Sequence, residues 1–167
     1  MWAFFGHSLG ALLAFETCRE LRRRGHTLPR HLFVSGQAAP QWPNERGFLH
    51  TLPPEELIRE LRGFNGTPAE AFAHDDLLAL VLPVMTADLA LGETYEHTDE
   101  PPLDIAVTAI GGVADPDLSL PKLEAWRLHT TRIFRPCWFA GDHFYLHHHA
   151  RELAELIRSE PLQSPSA

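Results

Sequence analysis

The sequence predicts an α/β fold, a parallel sheet with flanking helices and one inserted helical segment. Three observations carry this reading. An apolar run, Trp2-Ala3-Phe4-Phe5, stops at Gly6 and gives way at once to a helix-patterned stretch. A second apolar strand, His31-Leu32-Phe33-Val34-Ser35-Gly36, follows that helix, and the βαβ crossover so formed implies parallel pairing. Strand character returns after an intervening helical stretch, first at Ile105 to Ile110 and again at Thr131 to Phe139.

Taken in order, the first helix places Ala11, Ala14, Phe15, Cys18 and Leu21 on one stripe and leaves Glu16, Arg19, Glu20, Arg22 and Arg23 for solvent. Arg19, Arg22, Arg23 and Arg24 lead into Gly25, where cations complement the helix dipole and glycine supplies a left-handed cap. From Gln41 to about His97 the signals are helical. Pro53-Pro54-Glu55-Glu56 opens one helix, Thr67-Pro68-Ala69-Glu70 has the form of a capping box, and Asp75-Asp76 precedes a third helix that Pro83 is expected to kink or end. Gly111-Gly112 follow the Ile105 strand, a helix is expected around Leu120 to His129, and Pro136 assigns the last strand to a sheet edge. Leu153, Leu156 and Ile157 share one face of a final helix, and Pro161 to Ala167 reads as a frayed tail.

A chain of 167 residues fits a single domain, 1–167, with the helical insertion at about 52–95. Its apolar content is 44%, yet no apolar run reaches the roughly 18 to 20 residues a membrane span needs, so no membrane partner is expected. No basic, apolar, small-residue leader opens the sequence, and a cytoplasmic location follows as the expectation. The net charge of -8 argues against nucleic acid as a partner, because neutralising phosphates requires clustered Lys and Arg. Cys18 and Cys137 match neither a metal knuckle nor a disulfide framework.

The chemistry is concentrated at Gly6-His7-Ser8-Leu9-Gly10. This is the G-x-S-x-G pattern of a nucleophile elbow, and it stands between a strand and a helix, where such an elbow must stand. Ser8 is the expected nucleophile. The flanking glycines suit a sharp turn in which strand and helix come close together. His7 adjoins Ser8 in the chain, and that geometry disfavours it as the base.

A serine hydroxyl needs a histidine to take its proton, and the histidine needs an acid to hold its tautomer. Asp115 follows the Ile105 strand through Gly112 and is the expected acid, with Asp117 the near competitor. His143, in Gly141-Asp142-His143-Phe144-Tyr145, follows the last strand and is the expected base. The order Ser8, Asp115, His143 is that of the α/β-hydrolase fold, and the chain reads as the C-terminal part of one. The Leu9 backbone amide is the expected oxyanion donor, helped by the helix N-terminus. No cofactor is needed. His147-His148-His149 point in different directions on a helix and have no completing ligand set, so no metal site is expected there.

These residues resemble the type II thioesterases of nonribosomal peptide and polyketide synthesis. The resemblance extends from Gly6 to Glu16 and through Ser35-Gly36, Ala39-Pro40, Leu52-Pro53, Leu82-Pro83, Ala87-Asp88, Glu93-Thr94-Tyr95 and Pro102-Leu103. It continues in the Gly112 to Pro116 turn, Trp126 and Gly141 to Leu146. It implies a lid from about Leu52 to Tyr95, triad roles for Ser8, Asp115 and His143, and hydrolysis of misprimed acyl groups from the phosphopantetheine arm of a carrier-protein partner. It also implies a segment ahead of the nucleophile strand that this sequence does not include, carrying a second oxyanion amide. On that comparison Trp2 to Phe5 is expected to form an open edge, and the chain alone to be poorly soluble or inactive. Two other functions stay open at this point: a non-catalytic remnant that binds carrier proteins or other chains, and an α/β-hydrolase acting on oxygen esters.

Overall fold

Apolar residues that alternate along short strands, bounded by glycine turns, can bury both faces only if helices cover each side. A computed structural model describes residues 2–63 and 74–159 and has this arrangement. Four strands, β1 (Phe4–His7), β2 (His31–Ser35), β3 (Ala106–Gly112) and β4 (Phe134–Phe139), form one sheet in the order β1-β2-β3-β4, every pair parallel. Five α-helices accompany them among the described residues: α1 (Leu9–Arg23), α2 (Pro54–Gly63), α3 (Asp75–Glu93), α4 (Leu120–Glu124) and α5 (Ala150–Ser159). The Thr67 to Glu70 capping box and the Pro161 to Ala167 tail lie outside the described residues.

The chain divides into two compact units, one of Met1–Trp42 with Thr98–Ala167, the other of Pro43–His97. In the first, Leu32 and Val34 of β2 and Val107 and Ala109 of β3 pack with Ala11, Phe15 and Cys18 of α1 and with Trp126. Phe33 and Ile110, pointing to the opposite face, pack with Tyr145 and with Leu153, Leu156 and Ile157 of α5. Alternation along each strand thus fills two cores, one on either face of the sheet. The expected stripes of α1 and α5 are the faces that do this. Pro136 sits in β4, which among the described residues pairs on one side only, with β3, an edge position where proline is tolerated.

Two local expectations are corrected, the second only as to where the helix ends. Arg19, read as a solvent-facing residue, is 2% exposed. Its guanidinium pairs with Glu16 at 2.7 Å and Glu100 at 2.8 Å and also donates to the Thr98 carbonyl. Arg22 and Arg23 each reach the same Glu100 carboxylate at 2.6 Å. Helical spacing alone could not reveal a carboxylate some eighty positions away. Pro83 neither ends nor splits its helix, since α3 runs through it to Glu93. An interior proline costs about 3 kcal/mol. In the second unit Leu78, Leu82, Met85 and Leu89 of α3 pack against Leu57 and Leu61 of α2. Burial at roughly 1.5 to 3 kcal/mol per large apolar side chain outweighs that one defect.

The arginine cluster has a pH consequence. Hydrogen bonds from Arg19, then from Arg22 and Arg23, hold the Glu100 carboxyl down at about 2 against an ordinary value of 4.5. The unfolded chain therefore binds the proton first as pH falls. Glu100 contributes its full stability above pH 4.5 and loses it between 4.5 and about 2. Glu100→Gln should cost about 2 kcal/mol at neutral pH, the scale of charged hydrogen bonds. It should also flatten the fall in Tm over that acid window, as followed by thermal unfolding.

Candidate active site

β1 ends at His7, Ser8 follows, and α1 begins at Leu9. Among the described residues Ser8 is the one non-glycine residue with positive φ, at φ 54 and ψ -125. A side chain is disfavoured in that region, and such strain persists only where surrounding bonds impose it. Here the Ser8 amide donates to the Ser35 carbonyl at 2.7 Å, and the Ala11 amide donates to the Ser8 carbonyl at 2.9 Å. A serine at a helix N-cap commonly accepts a hydrogen bond from a helix-start amide. Ser8 makes no such cap bond. Leu9 opens α1, so its amide is among those with no acceptor inside the helix.

The elbow's two glycines serve different purposes. A Cβ on Gly6 would lie 2.1 Å from the Gly10 carbonyl oxygen, so any side chain there would force strand and helix apart. A Cβ on Gly10 meets open space. The expectation that crowding requires both is corrected: Gly10 contributes the carbonyl against which Gly6 packs.

The acid and base loops are tied to each other at the ends of β3 and β4. The Val113 amide donates to the Phe139 carbonyl and the Ala114 amide to the Gly141 carbonyl, both at 2.9 Å. Gly112 makes the approach possible, because a Cβ there would stand 2.2 Å from the Asp142 carbonyl oxygen. His143 Nδ1 and Asp115 Oδ2 are then 2.8 Å apart. Asp115 is the buried member, and its second oxygen, Oδ1, accepts the Asp117 amide at 3.0 Å. Donation from Nδ1 to the carboxylate leaves the Nε2 lone pair of His143 as the one that can take a proton. The carboxylate on the imidazole is therefore Asp115, while Asp117 supplies a backbone amide to it.

In an all-parallel sheet the carboxyl ends of β1, β3 and β4 lie along one edge, so Ser8, Asp115 and His143 emerge on the same side. His7, the neighbour of Ser8, brings its ring to 4.8 Å from the ring of His143, centroid to centroid. No hydrogen bond joins Ser8 to His143 among the described residues, and catalytic hydrogen bonds of this kind often tighten only once substrate is bound.

Two residues at the site, Ser35 and Tyr145, carry no role in the sequence reading. Ser35 Oγ lies 2.8 Å from His7 Nδ1 and 2.6 Å from the Tyr145 hydroxyl. Ser35 is a buried hydroxyl at the end of a strand whose other residues are apolar apart from His31, which was the available signal. Burial, followed by the nearby His143, lowers the His7 pKa to about 4, and burial raises that of Tyr145 to about 12. The histidine run goes separate ways: His147 stacks on Phe144, and His149 Nε2 lies 3.0 Å from the Ala140 carbonyl. No described helix is long and apolar enough to cross a membrane.

A family model described as Thioesterase domain matches residues 2–160. The linear gramicidin dehydrogenase LgrE of Brevibacillus parabrevis is 43% identical over 161 residues, which cover 95% of this chain and 61% of that protein. Its name is a redox one, whereas the family model and the solved neighbours are thioesterases. The RedJ thioesterase of the prodiginine pathway in Streptomyces coelicolor superposes with a TM-score of 0.84 at 41% identity, covering 92% of this chain and 61% of that one. The type II thioesterase BorB of the borrelidin cluster gives 0.85 at 38%, covering 96% and 65%. The chain thus spans about three-fifths of the length of the relatives it matches. With the match running over nearly every residue and the fold shared at these identities, the chain belongs to the thioesterase family.

Proposed function

We propose that the chain carries the acyl-thioester hydrolase site of a type II thioesterase, with Ser8 as nucleophile, His143 as base and Asp115 as its orienting acid. The observation that carries this reading is the 2.8 Å bond between His143 Nδ1 and Asp115 Oδ2, at the same end of the sheet as the strained Ser8 elbow. His143 Nε2 takes the Ser8 proton as Oγ attacks the thioester carbonyl. The Leu9 amide donates to the oxyanion, in the field of the α1 N-terminus. Collapse of the tetrahedral intermediate breaks the carbon–sulfur bond, and His143 returns the proton to the departing thiolate. Water, deprotonated by the same imidazole, then releases the acid and restores Ser8.

The substrate proposed, from the resemblance, is an acyl group on the phosphopantetheine arm of a carrier protein, in keeping with the biosynthetic pathways named for the relatives. By resemblance, the segment from about Leu52 to Tyr95, which falls within the unit Pro43–His97, is the lid. The test compares acyl-pantetheine thioesters with p-nitrophenyl esters of the same acyl group. The expected result is a kcat/KM higher by at least about tenfold on the thioester, a difference of 1.4 kcal/mol in transition-state binding. A preference for the oxygen ester would replace the substrate class, and no turnover of either by the chain joined to the upstream segment that the resemblance implies would overturn the enzymatic reading.

A further inference from the structure

Ser35 connects both sides of the elbow. Its carbonyl takes the Ser8 amide, while its hydroxyl lies between His7 Nδ1 and the Tyr145 hydroxyl. We propose that His7 is a positioning residue for His143: the Tyr145–Ser35–His7 hydrogen-bond chain fixes the His7 ring as the wall that keeps the His143 imidazole on Asp115. This rests on the reading of His143 as the base.

The proton positions follow from counting donors. If Tyr145 donates to Ser35 and Ser35 donates to His7 Nδ1, both bonds are made and the single His7 proton stays on Nε2. That nitrogen is buried and has no partner, so one donor is left over. The reverse direction leaves the buried Tyr145 hydroxyl hydrogen and the Nε2 lone pair both unmet, a larger penalty. The first arrangement is therefore the one adopted, and it requires a neutral His7.

Neutrality matters because of what surrounds the ring. His143 stands 4.8 Å away, and Phe144 and Tyr145 lie at 6.0 and 6.2 Å, all centroid to centroid. The titratable groups acting on His7 are His143, Asp115 and His147, of which only Asp115 favours a charge on it. When His143 becomes an imidazolium on taking the Ser8 proton, its neighbour is an uncharged ring instead of a second cation. Space for the pair comes from Gly36, at φ 61. A Cβ there would lie 2.6 Å from His7 Cε1 and 3.2 Å from His143 Cε1.

The test uses the full chain with Tyr145→Phe, which removes one oxygen and keeps the ring, and Ser35→Ala. Nitrogen-15 NMR of the imidazoles follows the His7 titration and the His143 Nδ1 proton, alongside kcat and KM on an acyl thioester. In Ser35→Ala the His7 midpoint is expected to rise above about 4, because the neutral form loses the hydrogen bond it accepts, while burial and His143 still hold it below 6.5. In both variants the His143 Nδ1 resonance should shift, and kcat should fall roughly tenfold with KM nearly constant. An unchanged His143 Nδ1 resonance in Tyr145→Phe would overturn the proposal, whatever happened to kcat. Should Ser35→Ala fail to fold, Tyr145→Phe alone decides. If the chain joined to the upstream segment that the resemblance implies turned over no thioester while the resonances moved as expected, the functional reading would fail and the positioning role would stand.

Discussion

Ser8→Ala should lower acyl-thioester turnover by roughly 10⁴- to 10⁶-fold, since losing the nucleophile removes the covalent route and leaves only binding and the oxyanion amide. The strained backbone at Ser8 is imposed by bonds from its own amide and carbonyl, which alanine keeps. Stability should therefore change by less than about 1 kcal/mol, and the lost activity cannot be ascribed to unfolding. Mass spectrometry of the protein quenched during turnover should find an acyl adduct on Ser8 that is absent in the variant. Turnover retained within a factor of ten, or an adduct on another residue, would remove Ser8 from the mechanism.

Asp115→Asn is the second large effect, an expected loss of about 10⁴-fold in kcat. The shape is preserved, but an amide can present its NH₂ to His143 Nδ1 and turn the imidazole to the tautomer that carries its proton on Nε2, where it cannot accept one from Ser8. Asp115 is buried and its oxygens take His143 and the Asp117 amide, so no adjacent water restores the lost acceptor cheaply. Kinetics on an acyl thioester, with Asp117→Asn in parallel, test this. Asp117 contacts the site through its backbone amide and its substitution should cost less than tenfold. A reversal of the two effects would exchange their assignments.

How far local sequence carries the argument can be judged residue by residue. The elbow was legible because strand, glycine, serine and helix follow one another within a dozen positions, and the requirement at Gly6 is a contact with Gly10 four residues away. Pro136 was legible as an edge residue because a proline lacks the same hydrogen in any context. Arg19 was not, since its partner Glu100 lies some eighty positions further along the chain. That α3 continues past Pro83 was not legible for a related reason: the apolar residues of α2 that pack against it lie in another helix, and helix propensity knows nothing of them.

By itself the sequence determined, among the described residues, the strand and helix order, the parallel crossover, the strand-to-helix turn at Ser8 and the loops on which Asp115 and His143 lie. Those follow from periodicity and backbone chemistry, which act over a few residues. Only the tertiary structure decided that Asp115 and not Asp117 holds the imidazole, that Arg19 is buried on Glu100, and that Ser35 and Tyr145 stand behind His7. Each of those depends on groups 28 to 110 positions apart meeting within hydrogen-bond distance. Such meetings are set by how strands pair and glycines let loops approach, and no local pattern encodes them.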